Sequence, residues 1–386
     1  MSTSQNWSRR DACISAAVIA CAFIYFLLFA QFALLHRIET LDAEKRWLQP
    51  VMICMGLGGV SGSLLAWRRF RVSNSDQQLF FGFLGSGVMA VLSTLCFSLP
   101  CFLGVGFGVG LALGFLTVTI VPILRLRVEP KRLGRCCAAG VGIAYAVCNL
   151  PFLFKAAPDF QCMVAAMVVG VGACLPFAFS GPAKKARMSG DAGMEGEQNL
   201  AKGAGVWGVI VIFALLVWLD SAAFYVIQET DTLRGVTWGE FEQLWILAAG
   251  HLLGAGIAGC LIENEKLLWV LGSALSLLVL GSFGIVHGEG LWSMISVSGY
   301  VLGVSFYSTA LVAFGALSGE ANGAWPVAKR AGMLFALAGW VASGMGIGMA
   351  RDLSTIPVGF LAAAVVVGLA SLYGLKRLRV SGGVWG

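Results

Sequence analysis

The sequence predicts an all-α membrane protein in which twelve transmembrane helices form two pseudo-symmetric six-helix bundles. Three observations lead to this fold class. First, 58% of the 386 residues are hydrophobic and only 12% are charged, whereas a soluble domain carries about 25% charged residues. Second, the apolar residues form separate runs whose length suits membrane-spanning helices. Third, the two halves of the chain share residues at a nearly constant offset.

The apolar runs define the individual spans. A helix of about 20 residues crosses a hydrocarbon layer of about 30 Å, and a helix satisfies its own backbone hydrogen bonds inside lipid. The first run follows two arginines but continues to residue 35, which favours an uncleaved span over a signal peptide. The predicted spans are 13–35, 48–67, 78–99, 101–124, 136–154, 161–180, 206–228, 244–262, 267–286, 290–318, 330–350 and 356–375.

The basic residues predict the orientation. Of the 26 Lys and Arg residues, six fall on one side of the predicted membrane and the remaining 20 on the other. Loops rich in Lys and Arg stay inside, so both termini are predicted to be cytoplasmic in a multi-pass protein of the cell inner membrane. The net charge of +6 therefore reflects inner loops and does not indicate a nucleic-acid partner. The six outer residues are Arg37, Lys45, Arg46, Lys155, Arg234 and Arg351.

An internal repeat and a polar segment predict the domain boundaries. Residues 181–205 are polar and Gly-rich, which predicts a flexible cytoplasmic linker between bundles 1–180 and 206–386. Residues in the two bundles match at an offset of 195–198 positions, and Gly residues at matched positions allow helices to approach closely. The matched pairs are Gln31 and Gln228, Arg37 and Arg234, Trp47 and Trp245, Gly59 and Gly256, Gly62 and Gly259, Gly104 and Gly299, Gly108 and Gly303, and Arg135 and Arg330.

This organisation resembles the major facilitator superfamily of secondary transporters. That family carries a signature of roughly G-x-L-A-D-R-x-G-R-R after span 2, and residues 62–71 read GSLLAWRRFR. The acid of the signature is replaced here by Ala66. The second copy, residues 259–263 with the sequence GCLIE, keeps an acid as Glu263. The resemblance implies that Glu263 caps a neighbouring helix N-terminus or pairs with an inner arginine such as Arg135.

The resemblance also implies a function and a mechanism. In that family two bundles rock about a central site, and spans 1, 4, 7 and 10 line the cavity. We therefore expect a secondary active transporter, coupled to protons and monomeric, with no cofactor, metal or enzymatic activity. Because no Lys or Arg lies within a predicted span, a neutral, zwitterionic or cationic small molecule is the expected substrate. The alternative is a non-transporting membrane sensor or scaffold that keeps the fold.

Asp220 is the first candidate for a functional residue. It lies within predicted span 7, where a carboxylate is costly unless it faces protein or water. It could carry a proton or bind a cation, or it could be a packing residue satisfied by neighbouring hydroxyl groups. His251 lies at a similar depth in span 8, so a contact with Asp220 is conceivable. Alternatively, His251 packs within its own Gly-rich helix.

Other polar residues lie at helical spacing. Ser296, Tyr300 and Tyr307 share one face of span 10, which suits either a polar cavity wall or hydrogen bonds between helices. Tyr145 and Asn149 form a shorter polar pair in span 5. Gln31 and Gln228 near the outer ends of spans 1 and 7 are candidate gating or interfacial residues.

The cysteines are expected to be packing residues. The chain contains 11 Cys, scattered mostly within apolar runs, where Cys behaves as a small hydrophobic side chain. The spacing predicts neither a metal site nor a disulfide framework.

Overall fold

A computed structural model describes residues 8–42, 44, 46–180, 198–288, 290–317 and 324–380, and in these ranges the chain is helical and has no β-strand. We call the two faces of the molecule inner and outer, following the charge prediction. The long helices, labelled in chain order, are α1 (Arg9–Leu41), α2 (Leu48–Arg69), α3 (Ser75–Thr94), α4 (Leu99–Arg127), α5 (Leu133–Cys148), α6 (Pro158–Ala178), α7 (Gln198–Glu229), α8 (Phe241–Glu263), α9 (Leu267–His287), α10 (Leu291–Leu317), α11 (Val327–Leu353) and α12 (Val358–Val380).

Within the described ranges, ten helices are long and apolar enough to cross a membrane. The predicted spans 78–99 and 136–154 correspond to α3 and α5, which do not belong to these ten. Helix α5 has only 16 residues, fewer than the roughly 17 to 25 that a full span needs. The chain is therefore a multi-pass helical membrane protein, and the twelve-span arrangement stays a prediction.

Two of the long helices contain a π-helical stretch. Residues Tyr25–Ala33 of α1 and Phe335–Ala342 of α11 have the wider turn of a π-helix. Such turns occur mostly as short insertions in α-helices and are frequent at functional sites. The predicted linker lies mostly outside the described residues, and α7 begins at Gln198, within its last part.

Helices α5 and α8 cross in backbone contact near the inner face. A Cβ atom added to Gly134 would lie 2.4 Å from the carbonyl oxygen of Gly259. A Cβ added to Gly259 would lie 2.7 Å from the carbonyl oxygen of Gly134 and 2.6 Å from the Cβ of Ala138. Only glycine fits at either position, because any larger residue would force the two helices apart.

Helices α2 and α11 form the other close crossing at the inner side. A Cβ on Gly332 would lie 2.8 Å from the Cβ of Trp67, and a Cβ on Gly59 would lie 2.0 Å from the ring of Trp340. The ammonium group of Lys329 lies 5.9 Å from the centre of the Trp67 ring. Aromatic packing and a cation–π contact therefore hold this crossing.

Ion pairs join neighbouring helices at their ends. In each pair, the predicted orientation places both helix ends on the same face of the membrane. Arg37 of α1 binds Asp159 of α6 at the outer face. Arg127 of α4 binds Asp76 of α3 at the inner face, with Nη2–Oδ distances of 2.8 and 3.1 Å. Both arginines are buried near helix ends. Both lie just outside the predicted spans 13–35 and 101–124, where pairing with an acid allows an arginine to be buried.

A disulfide joins Cys96 to Cys101 at the α3–α4 connection. This bond corrects the expectation that the cysteines act only as packing residues. Cys96 lies outside the helices and Cys101 in the first turn of α4, so both lie at the edge of the apolar runs. Disulfides persist in oxidising compartments, and this connection is predicted to be outside the cytoplasm.

We expect Gly259→Leu to destabilise the protein by about 1–3 kcal/mol, because the added side chain overpacks a backbone contact. Thermal unfolding in detergent micelles measures the effect. Gly256→Leu is the matched control, because a Cβ at Gly256 meets nothing within 4 Å. Equal stability of the two variants would contradict the close crossing.

We expect a variant that keeps only Cys96 and Cys101 to react with a membrane-impermeant maleimide on intact cells, but only after treatment with a reductant. A variant that keeps only Cys13, near the inner end of α1, is expected to react only in lysed cells. The reason is the predicted orientation. It places the disulfide outside the cytoplasm, where oxidising conditions preserve it, and Cys13 on the cytoplasmic side. The opposite labelling pattern would invert the topology.

Candidate functional site

A cavity of about 710 Å³ lies between helices of the two halves of the chain. Helices α1, α2, α4 and α5 line it on one side, and α7, α10 and α11 on the other. It extends from Asp220, Tyr145 and Thr117 to Lys155 and Arg234 at the outer helix ends. The crossings of α5 with α8 and of α2 with α11 close the molecule at the inner side of this cavity.

Asp220 is held at the base of the cavity by two tyrosines. The hydroxyl of Tyr300 donates a hydrogen bond to Oδ1 of Asp220 at 2.5 Å, and the hydroxyl of Tyr307 donates to Oδ2. Tyr307 follows Tyr300 by seven positions on α10, which is about two helical turns, so both side chains project from one face. Asp220 lies nine residues before the end of α7 at Glu229, or roughly 14 Å along the helix. Hydrogen bonds to both carboxylate oxygens offset the cost of removing the carboxylate from water.

Tyr145 links the two halves of the chain. It belongs to α5, and its hydroxyl lies 3.1 Å from Oγ of Ser308 on α10. Its ring stacks on the imidazole of His251 on α8, with ring centres 4.3 Å apart and an angle of 14° between the planes. Tyr145 therefore connects three helices next to the Asp220 cluster.

His251 is buried and has its own hydrogen-bond partner. Its Nδ1 lies 2.8 Å from Oγ of Ser305. The single hydroxyl proton of Ser305 is directed to the carbonyl oxygen of Val301 at 3.0 Å. We infer that Nδ1 carries a proton and donates it to Ser305, so that Nε2 is the acceptor nitrogen of the neutral ring. His251 thus binds Ser305 and Tyr145, and Asp220 binds the two tyrosines of α10.

Ser296 does not contribute to the cavity wall. It faces Gly284 of α9, and a Cβ on Gly284 would lie 1.9 Å from its Oγ. Of the two possibilities for this face of α10, the position of Ser296 against α9 fits a contact between helices, and a binding role for Ser296 stays a prediction. Asn149 ends α5, where its side-chain nitrogen donates to the carbonyl oxygen of Tyr145 at 2.9 Å. The function of Asn149 stays a prediction.

Gln31 and Gln228 both line the outer part of the cavity. They belong to α1 and α7, helices that the resemblance assigned to the cavity wall. The cavity walls also contain residues of α2, α5 and α11, which that expectation left out.

Glu263 and Arg135 form an ionic contact at the inner face. Oε1 of Glu263 accepts a hydrogen bond from the backbone nitrogen of Arg135 at 3.0 Å, and Oε2 accepts one from its Nε at 2.5 Å. Arg135 lies in the first turn of α5, so Glu263 also caps the N-terminus of that helix. On the α2–α11 side, where Ala66 replaces the acid, the Trp67 packing described above takes this place.

Four aromatic rings, which we call the aromatic cluster, line the cavity one helical turn outward of Asp220. They are Phe32, Phe154, Phe224 and Trp238, and their neighbouring ring centres lie 5.1–6.0 Å apart. Nearby, Nζ of Lys155 donates to the carbonyl oxygen of Gly239 at 2.7 Å, which joins the α5–α6 and α7–α8 connections. The sequence analysis missed this cluster, because its rings come from four separate elements and share no spacing.

Comparisons with known proteins identify the fold. No protein-family model matches the chain, and no curated protein matches its sequence. The human organic anion transporter MFSD10 (TETRAN) superposes with a TM-score of 0.65 at 14% identity, over 96% of this chain and 98% of that one. The transporter FucP in the outward conformation, described as a Major Facilitator Superfamily protein, gives 0.64 at 14% identity with the same coverage.

The chain has the major facilitator fold. Within the described residues, no group of three or more His, Cys, Asp or Glu side chains could hold a metal ion. The cavity between the two halves is the candidate site, and Asp220 is the acidic group at its base.

We expect Tyr307→Phe to destabilise the protein by about 1–3 kcal/mol, because one oxygen of the Asp220 carboxylate loses its donor. The loss is expected to shrink when Asp220→Asn is already present, which a double-mutant cycle in detergent measures. Tyr373→Phe is the control, because Tyr373 is exposed on α12. The same loss in both backgrounds would show that the hydrogen bond to Asp220 is not its cause.

Proposed function

We propose that this protein is a secondary active transporter that moves a small molecule across the membrane by alternating access, with Asp220 as its proton-coupling residue. The observation that carries the proposal is the position of Asp220. Its carboxylate lies deep in a cavity between the two halves, within hydrogen-bonding reach of two tyrosines. An ionisable residue at membrane depth is a functional candidate by default.

The geometry suggests how a proton would change the site. An ionised carboxylate only accepts hydrogen bonds, so both tyrosines can donate to Asp220. When Asp220 takes up a proton, one of its oxygens becomes a hydroxyl. The tyrosine on that oxygen must then accept a hydrogen bond or turn away. Asp220 belongs to α7 and both tyrosines belong to α10. Protonation of Asp220 therefore changes the contact between these two helices.

We propose that residues 1–180 and 206–386 form two six-helix bundles with twelve spans in total. Equivalent helix pairs pack in the two halves, and this supports the proposal. Thus α2 packs on α4 as α8 packs on α10, α3 on α4 as α9 on α10, and α1 on α5 as α7 on α11. Gly108 and Gly303 also face equivalent neighbours, Met89 on α3 and Leu278 on α9.

In this proposal the structure corresponds to an outward-facing state, with residues 181–205 as the cytoplasmic linker and both termini inside. The contact of Glu263 with Arg135 and the packing of Trp67 would then separate when the inner side opens. Gln31 and Gln228 would border the path at the outer side. The proposed location is the inner membrane, and the proposed working unit is a monomer.

The charge of the cavity favours a neutral, zwitterionic or cationic substrate. MFSD10 is described as an organic anion transporter, but here the group at the base of the cavity is a carboxylate, which repels an anion. The cations that line the cavity, Lys155 and Arg234, lie at its outer end. His251 is a second candidate for proton transfer, because Tyr145 and Ser308 lie between it and the cavity.

We expect Asp220→Asn to abolish accumulation of substrate against its gradient in proteoliposomes with an imposed pH difference, while substrate exchange persists. An amide cannot carry the coupled proton, although its oxygen can still accept a hydrogen bond from one of the two tyrosines. A thermal-stabilisation screen of small amines and neutral solutes selects the substrate. Asp352→Asn is the control, because Asp352 is an exposed acid at the end of α11.

If Asp220→Asn still accumulates substrate, Asp220 is a packing residue. If the wild-type protein binds a solute but neither accumulates nor exchanges it, the sensor or scaffold function replaces transport.

A further inference from the structure

The outer halves of α2 and α11 are not held together as their inner halves are. Helix α2 packs on the first part of α11, up to Leu334, and on its π-helical stretch. The following part, Ser343–Leu353, packs mainly on α7, where a Cβ on Gly346 would lie 2.4 Å from the carbonyl oxygen of Trp218. Helix α11 thus leaves α2 after Ala342 and follows α7.

On the opposite side of the molecule, the two halves are in contact at three levels. There, α5 and α8 touch at Gly134 and Gly259 near the inner face. Tyr145 stacks on His251 farther out. Beyond the helix ends, Lys155 binds the carbonyl oxygen of Gly239. Among the described residues, the seam between the two halves therefore opens towards the bilayer where α2 and α11 diverge.

The gap between α2 and α11 has apolar walls. On α2 the cavity is lined by Leu48, Met52 and Met55, and on α11 by Ser343 and Ile347, among others. Methionine side chains adapt readily to different apolar shapes. A wall of this composition favours an alkyl chain and offers little to a charged solute.

The flanks of the gap are open and continue into lipid-facing surface. A Cβ added to Gly56 of α2, or to Gly344 or Gly348 of α11, would meet nothing within 4 Å. Next to them, Ile53 is 54% exposed and Met345 is 62% exposed. The apolar lining of the cavity is therefore continuous with the surface that faces hydrocarbon.

The gap leads to the Asp220 site. Oγ of Ser343, on the α11 wall, lies 2.8 Å from Oγ of Ser221, and Ser221 follows Asp220 on α7. A molecule with its polar end near Asp220 could therefore extend its apolar end past Ser343 towards lipid.

We propose that the gap between α2 and the Ser343–Leu353 part of α11 is a lateral portal to the outer leaflet. Its ligand is a single-chain amphiphile with a cationic head group, which places the head near Asp220 and the alkyl chain between α2 and α11. This inference rests on the proposed function for its substrate, but the portal itself is tested without transport.

The first experiment places nitroxide spin labels at Met52 and Ile347, one at a time. The background lacks the free cysteines and keeps the Cys96–Cys101 disulfide, and the protein is in phosphatidylcholine liposomes. A label at Ile53 is the lipid reference and a label at Gln228 the aqueous reference. Power saturation measures collisions with oxygen, which concentrates in lipid, and with a water-soluble nickel chelate.

The portal predicts that Met52 and Ile347 reach at least half the oxygen accessibility of Ile53 and less than one third of the nickel accessibility of Gln228. Nickel accessibility equal to that of Gln228 would show a water-filled cleft and overturn the portal. Low accessibility to both reagents would show that the helices close the gap, which also overturns it.

The second experiment uses dodecylamine and butylamine as probes, with thermal stabilisation in lipid nanodiscs as the readout. Dodecylamine is expected to stabilise the wild type, and butylamine is not. Gly348→Trp, which fills the gap, is expected to raise the half-saturating dodecylamine concentration at least tenfold. Gly359→Trp is the matched control, because Gly359 on α12 also has open space around it.

Equal half-saturation of wild type and Gly348→Trp, or equal effects of the two amines, would overturn the assigned ligand. Failure of the proposed function would appear separately, as gradient-driven accumulation that survives Asp220→Asn.

Discussion

The crossing of α5 and α8 is the contact on which the rest of the structure depends. Lipid provides no hydrophobic drive for helices to associate, so they need close backbone packing and polar contacts. Gly134 and Gly259 provide the first, and Glu263 with Arg135 provides the second within one helical turn. Because this crossing fixes α5 against α8, Tyr145 reaches both His251 and Ser308. The polar cluster near Asp220 is thereby anchored in both halves of the chain.

The two inner crossings achieve closure by different chemistry. On the α5–α8 side the contact is ionic, whereas on the α2–α11 side Trp67 packs on Gly332 with Lys329 nearby. Ala66 stands where the second half has Glu263, so α2 offers no carboxylate at that position. The same asymmetry continues outward, where the α5–α8 side stays packed and the α2–α11 side opens.

The sequence predicted those parts of the site that depend on one helix or on a short motif. The depth of Asp220 followed from one acid within an apolar run, and the partnership of Tyr300 with Tyr307 followed from their spacing. The contact of Glu263 with Arg135 followed from the family signature. Ser296 shares the helical face of the two tyrosines but faces α9. Spacing alone could not distinguish Ser296 from the two tyrosines, because α10 is buried on almost all sides.

The π-helical stretch of α1 has a consequence for the phase of that helix. A π-helical turn takes up one more residue than an α-helical turn. The outer part of α1 therefore points in a different direction around the helix axis from the one that an uninterrupted α-helix would give. Arg37 lies after the π-helical stretch, and the changed direction lets its side chain reach Asp159. Val18 and Ile19 lie before the stretch, and their directions do not change. The number of residues between 25 and 33 is thus fixed by contacts at both ends, so loss of one residue would turn either Arg37 or the inner end of α1 away from its partners.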